Sequence, residues 1–172
     1  MPPAAVLVDN AHLLPPSGRA LDLACGLGGN ALLLARLGLR VHAWDISPVA
    51  VERLRLAAAE PGLAIDAEVR DAENAPWPQA FFDVIVVSRF LCRPLAGPIA
   101  AALKPGGLLF YQTFVGDKAE GIGPSNPDYL LERNELLRLF AGLRVIAYRE
   151  EGLVGDMGRG FRNEAMLVAQ QA

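Results

Sequence analysis

Leu21-Asp22-Leu23-Ala24-Cys25-Gly26-Leu27-Gly28-Gly29-Asn30 is the stretch on which the fold turns. An apolar run over residues 20–24 leads into a glycine cluster, and an Ala- and Leu-rich run over 30–37 leaves it, which reads as strand, tight loop, helix. Glycine in such a loop lets the backbone pass close beneath a bound nucleoside, because a Cβ would occupy the ligand's volume. Gly26 and Gly28, with Ala31 in the third position, also fit a dinucleotide fingerprint, so the glycines alone do not choose a ligand. The flanking acid separates the two: Asp22, three residues before Cys25, favours a ligand with a positively charged end and repels a pyrophosphate. The same carboxylate can also tie down its own loop, whose backbone groups need partners.

Outward from this loop the strand–helix pattern repeats. Residues 40–45 read as a second strand; Ser47 caps a helix that has Pro48 in its first turn, continues through Val51, Leu54, Arg55 and Ala58, and ends at Pro61 and Gly62. Residues 63–69 form a third strand and 82–88 a fourth, the latter a continuous apolar run of the kind buried on both faces. A short helix over 94–103, interrupted by Gly97 and Pro98, precedes a Lys104-Pro105-Gly106-Gly107 turn and a fifth strand over 108–114. The stretch 115–127, rich in Gly, Pro, Asp and Asn, is a long loop with the character of a lid. Asn134 caps a helix reaching Ala141, and 143–148 and 164–169 are two final strands around a Gly-rich, hairpin-like excursion. The segment before the first strand is a Pro-rich lead-in. The alternation predicts an α/β, doubly wound, mainly parallel sheet with helices on both faces, with ligands just beyond the carboxyl ends of the strands.

At 172 residues the chain suits a single domain spanning 1–172. Its 52% apolar content comes in blocks shorter than a membrane span, and no basic stretch with an apolar core opens it, so the cytoplasm is the expected compartment. A net charge of −3 offers no overall positive field for a nucleic acid. Two cysteines and two histidines make neither a disulfide framework nor a ligand cluster; no metal is expected.

Two further acids follow strands. Asp45, about twenty residues beyond the loop, is placed to accept both ribose hydroxyls of an adenosine ligand, unless it merely caps the next helix, for which Ser47 is the better residue. Asp71 and Ala72 can read an adenine edge with a carboxylate and a backbone amide; an ordinary turn aspartate is the alternative.

The ordered series Asp22 to Asn30, Trp44-Asp45-Ile46-Ser47, Arg70-Asp71-Ala72, Phe82-Asp83 to Ser88 and Leu103-Lys104-Pro105-Gly106-Gly107 resembles the motifs of class I S-adenosylmethionine-dependent methyltransferases over residues 18–115. The tail, from Asn134-Glu135-Leu136-Leu137 to Asn163-Glu164-Ala165-Met166, is similar to small bacterial methyltransferases of the tellurite-resistance type. The resemblance implies a Rossmann-like, seven-stranded sheet whose last strand is antiparallel, with S-adenosylmethionine as cofactor and S-adenosylhomocysteine as product. It places the Cys25, Gly26 and Gly28 backbone, with Asp22 and Asn30 of the same loop, at the methionine part and Asp45 at the ribose. Ile46 and Ala72 would flank the adenine, Asp71 would accept from its amino group, and Ser88 and Phe90 would lie near the transferable methyl. Plain core packing is the alternative for Phe90. Ala24 stands where the family often has Gly, and Gly29 precedes Asn30; neither removes a side-chain contact.

Methyl transfer is an in-line displacement that needs alignment and exclusion of water. A thiolate or a selenite- or tellurite-like oxyanion would need no general base, whereas a hydroxyl would. No convincing base, and so no catalytic residue, is assigned: His12 reads as a surface residue and His42 as structural. The small-molecule acceptor is expected near Gln112 and Thr113, with Tyr111 and Phe114 beside them, and near Asn126 and Tyr129 on the long loop. Tyr111 and Thr113 share a strand face that Gln112 does not. Arg89, Arg93, Arg159 and Arg162 can bind an anionic acceptor, though solvated arginines are the plainer reading. Cys25 and Cys92 are read as inert reduced thiols. The site is expected to be open, closed by the 115–127 loop or by a second subunit, which leaves a homodimer in play. Two rival readings keep the fold: a non-catalytic S-adenosylmethionine-binding module, and an NAD-dependent oxidoreductase, against which Asp22 and the Lys104–Gly107 turn count.

Overall fold

A computed structural model describes residues 1–59 and 62–172. The chain runs α1 (Ala5–Asp9), β1 (Arg19–Leu23), α2 (Gly29–Arg36), β2 (Arg40–Asp45), α3 (Pro48–Ala57), β3 (Ile65–Val69), β4 (Phe82–Ser88), α4 (Ala96–Ala102), β5 (Leu103–Phe114), α5 (Glu135–Leu139), β6 (Arg144–Glu150) and β7 (Glu164–Gln170). The seven strands form one sheet in the order β3-β2-β1-β4-β5-β7-β6. Pairing is parallel from β3 through β5, and β7 is antiparallel to both β5 and β6. The expected doubly wound sheet with an antiparallel last strand is therefore the observed one.

Alternation along the strands sends successive side chains to opposite faces and so builds two cores. Leu21, Leu23, Ile85, Val87, Leu109 and Tyr111 pack with Leu95, Ile99, Leu136 and Phe140 of the α4–α5 side. Ala20, Val41, Val84, Val86 and Phe110 pack with Val6, Leu7, Leu34, Val51 and Leu54 of α1, α2 and α3. Ser47 caps α3 as expected, its hydroxyl accepting from the Ala50 amide at 3.3 Å with Pro48 in the first turn. The expected stop at Pro61 lies outside the described residues.

Within the Pro-rich lead-in, residues 5–9 form α1 and 11–13 a single 3-10 turn, because Val6 and Leu7 find a fully buried place against the sheet. Two local expectations are corrected. Lys104 to Gly107 is not a turn before β5 but the start of that strand, where a register shift between Phe82 and Val84 absorbs Gly106 at φ +78°. Asn134 precedes α5 yet makes no capping bond, sitting at φ +58°; Glu135 instead accepts from the Glu132 amide at 2.7 Å, and α5 ends at Leu139. The long loop is partly organised, with Val115 bridged to Leu131 and a 3-10 turn over Pro127–Tyr129.

Candidate functional site

The order of the sheet decides where a ligand can enter. Connections from β1 run outward to β2 and β3, then cross back to β4 on the other side of β1, so the loops after β1 and β4 splay apart and leave a crevice at their carboxyl ends. Both loops begin in left-handed backbone, Ala24 at φ +53° and Arg89 at φ +53°. Three clefts open there.

The first, about 340 Å³, is lined by Leu23, Ala24, Trp44, Asp45, Ile46, Arg70, Asp71, Ala72, Glu73, Arg89 and Phe90. Asp45 accepts from the Gly26 amide at 2.8 Å and from the Ser47 amide at 2.9 Å, which fixes its carboxylate at the rim between the glycine loop and α3. Ile46, beside it, is exposed. Asp71 closes an Asx turn on the Glu73 amide and the Asn74 side chain, and these bonds hold its carboxyl below the usual range. Trp77 donates to the Ala72 carbonyl at 2.8 Å, and the Arg70 guanidinium lies over the Trp44 ring at 4.2 Å, so the far wall is stiff.

The second cleft, about 460 Å³, is lined by Met1 to Ala5, Ala24, Cys25, Gly26, Gly29, Asn30, Ser88, Arg89, Gln112, Phe161 and Glu164. Asn30 is its hub: its amide donates to Asp22 at 3.3 Å and to Ser88 Oγ at 3.0 Å, while its oxygen accepts from the Ala4 amide at 2.8 Å. Gln112 accepts from the Val6 amide at 2.8 Å and donates to Glu164. The amino-terminal segment thus lies across this cleft, close enough that a Cβ on Gly29 would stand 2.5 Å from the Met1 carbonyl. The first five residues line this cleft and not the third, where the acceptor site was expected to be open; there Pro124 of the long loop is among the lining residues.

Asp22 lines neither cleft. Fully buried behind the loop, it accepts from Asn30 and, at 3.0 Å, from the Ala31 amide. Burial pushes its carboxyl up to about 7, against the pull of those two hydrogen bonds and with a further push from Asp45. Gly28 lines neither as well: its φ of +76° turns the chain, and a Cβ there would meet Leu54 at 2.2 Å. Burial, with the charges of Asp22 and Asp45, pushes the Cys25 thiol up, and burial and Glu73 do the same to Cys92, so neither is poised as a thiolate.

The third cleft, about 440 Å³, is lined by Glu73, Arg89, Phe90, Leu91, Thr113, Phe114, Pro124 and Tyr129. Thr113 and Tyr129 come together here, Gln112 faces the second cleft instead, and Asn126 lines none of the three but accepts from the Asp128 amide at 3.0 Å. Tyr111 donates to the Phe90 carbonyl at 2.9 Å, and burial raises its hydroxyl out of the ionising range. Of the other arginines considered, Arg93 braces Glu135 and the carbonyls of Asp128 and Leu130, and Arg162 binds the carbonyls of Gly152, Val154 and Asp156. His12 is exposed, and His42 packs edge-on against Phe81 and Phe82. Among the described residues, Arg89 alone lines all three clefts. Glu73 and Glu164 were not among the site residues expected from the sequence, although Glu164 belongs to the tail motif; nothing in their spacing marks them as cleft residues.

A family described as a methyltransferase domain matches residues 20–107, more than half of the chain. The chain belongs to the class I S-adenosylmethionine-dependent methyltransferases. Among its relatives, the ubiquinone biosynthesis O-methyltransferase of Xanthomonas axonopodis is 36% identical over 60% of this chain and 46% of its own length. That of Methylocella silvestris is 32% identical over 83% of this chain and 63% of its own. The chain thus spans about half to two thirds of the length of these curated relatives. In fold it is similar to TehB from Haemophilus influenzae (TM-score 0.78, 23% identity, 99% of this chain and 63% of that one). It is similar too to a methyltransferase from Methanosarcina mazei (TM-score 0.75, 19% identity, 99% of both chains). Among the described residues no helix is long and apolar enough to cross a membrane.

Proposed function

We propose that the protein transfers the methyl group of S-adenosylmethionine to an oxygen of a small acceptor with an apolar body. The observation that carries this is the meeting of three clefts at Arg89: two suit the two halves of the cofactor, and the third is walled by Phe90, Leu91, Phe114, Pro124 and Tyr129. The residues suit the cofactor. Nothing stands within 4 Å of where a Cβ on Gly26 would be, so the glycine loop gives an open floor, and Asp45 offers carboxylate oxygens beside it. When bound, S-adenosylmethionine supplies an electrophilic methyl on a cationic sulfur.

The chain's own groups bind and orient. Asp45 accepts from the ribose hydroxyls, Ile46 and Ala72 flank the adenine, and the Asp71 carboxylate takes its amino group. The Cys25–Gly26 backbone, with Ser88 held by Asn30, receives the methionine end. Asp22 acts at one remove, fixing Asn30 and the Ala31 amide so that the loop keeps its shape. An acceptor hydroxyl has to release its proton as the new O–C bond forms. Glu73, the carboxylate that lines both the first and third clefts, is the group we assign to take that proton. That the Xanthomonas and Methylocella relatives are O-methyltransferases of ubiquinone biosynthesis supports oxygen over sulfur or a chalcogen.

The test is a methylation screen with isotopically labelled cofactor, read by mass spectrometry, over phenols and hydroxy acids, with thiols, selenite and tellurite as parallel arms. A labelled methyl on an oxygen acceptor, with loss of about ten-fold or more in turnover for Glu73→Gln, is the expected result. Labelling of a thiol or chalcogen arm alone would replace the oxygen reading. Cofactor binding with no labelled product in any arm would favour a non-catalytic binding module, and binding of NAD in place of the methionine cofactor an oxidoreductase.

A further inference from the structure

We infer that the acceptor is an acid, an apolar carboxylate whose anionic group is taken by Arg89; this rests on the assignment of the third cleft made above. The first support is the backbone. Arg89 sits at φ +53°, a left-handed conformation that strains a residue with a side chain and that glycine adopts freely. The turn itself is held by the Arg89 amide donating to the Gln112 carbonyl at 2.8 Å, a bond that any residue would make. An arginine kept at a position where glycine would be cheaper points to what its side chain does.

The second support is what the guanidinium leaves unused. Arg93 spends its donors on a carboxylate and two carbonyls, and Arg162 on four carbonyls and Glu151, so both are braces of the fold. Arg89 has one side-chain bond, from Nε to Glu164 at 3.4 Å, long for a charged pair, and its side chain is 53% exposed. The planar pair of Nη groups that matches a carboxylate is without a protein partner among the described residues. Glu164 is also engaged by the Gln112 side-chain amide, which donates to its other oxygen.

The third support is the cleft. Arg89 is the cation and Glu73 the acid among the lining residues of a cavity walled, apart from Thr113, by the aromatic and aliphatic groups of Phe90, Leu91, Phe114, Pro124 and Tyr129. A bare inorganic oxyanion would leave those walls uncovered. A hydroxy acid with a flat apolar body covers them, sets its carboxylate on Arg89 and keeps its hydroxyl for Glu73.

The experiment is a calorimetric titration of the protein, saturated with S-adenosylhomocysteine, with 4-hydroxycinnamate and with 4-hydroxycinnamamide, a pair of closely similar shape in which a neutral amide, with a donor in place of one acceptor oxygen, replaces the carboxylate. The acid is expected to bind about ten-fold more tightly than the amide, the modest factor reflecting a half-exposed cation. That ratio is expected to fall to near one in Arg89→Gln and in Arg89→Gly, and to survive in part in Arg89→Lys. The glycine variant relieves the left-handed strain, so a melting temperature at or above that of the parent shows that the lost preference is not lost folding. Equal binding of acid and amide, a preference that persists in both variants, or binding of S-adenosylhomocysteine with neither probe taken, overturns the inference. Failure to bind S-adenosylhomocysteine at all would instead remove the methyltransferase reading beneath it.

Discussion

Gly26 and Gly28 stand two residues apart, both in left-handed backbone, yet they serve different ends. A Cβ on Gly28 would press on the buried Leu54 side chain at 2.2 Å, whereas a Cβ on Gly26 would enter open space at the floor of the second cleft. Gly28→Ala is therefore expected to lower stability by about 2–4 kcal/mol in urea unfolding, the combined cost of strain and overpacking. Gly26→Ala should cost about 1–2 kcal/mol of stability but weaken S-adenosylhomocysteine binding about ten-fold or more, by calorimetry. Equal effects of the two on binding would show that the floor is not where the cofactor lies. Asp22 gives a second residue-scale expectation. Its buried carboxyl keeps its proton up to about pH 7 in the folded chain, while in the unfolded chain the proton leaves near pH 4. Between those values the unfolded state binds fewer protons, so stability falls as pH rises, by about 2–4 kcal/mol from pH 4 to pH 8. In Asp22→Asn that slope should flatten, as urea unfolding at the two pH values will read.

At the scale of elements, the Val115–Leu131 bridge closes the base of the segment after β5, and one arginine ties its far part to α5. Arg93 binds Glu135 at 2.6 Å and 3.0 Å and holds the carbonyls of Asp128 and Leu130 at 2.8 Å and 2.9 Å, tying the 3-10 turn over Pro127–Tyr129 to α5. Because Pro124 and Tyr129 wall the third cleft, Arg93→Ala is expected to raise cleavage within 116–131 in limited proteolysis by about ten-fold, without a matching fall in cofactor binding. Unchanged cleavage would place the ordering of this segment elsewhere. The strands were legible because each is a short apolar run bounded by turn residues: β2 and β4 fall at the residues expected, and β1, β3 and β7 shift by one or two. The amino-terminal helix was not legible. Its apolar run, Ala4 to Val8, is too short to show a period, and it is tied down by remote partners, Asn30 accepting from the Ala4 amide and Gln112 from the Val6 amide. The same holds for Lys104–Gly107, whose glycines signal a turn locally but serve a bulge set by pairing with β4.

For the whole molecule, the sequence located the cleft walls that follow strands, Asp45, Ile46, Asp71, Ala72 and Phe90, because the topology places every strand's carboxyl end on one side. It did not reveal how the clefts are closed off, since Glu73, Glu164 and the first five residues reach the site only through tertiary packing. Under the proposed function the first two clefts together hold S-adenosylmethionine with its ribose on Asp45. Calorimetric titration of the purified protein with S-adenosylmethionine and S-adenosylhomocysteine, with NAD as control and Asp45→Ala alongside, tests this. Both methionine ligands are expected to bind at a Kd on the order of micromolar and NAD not at all, with a loss of about ten-fold or more in the variant. No heat from either methionine ligand, or equal affinity in Asp45→Ala, would contradict it.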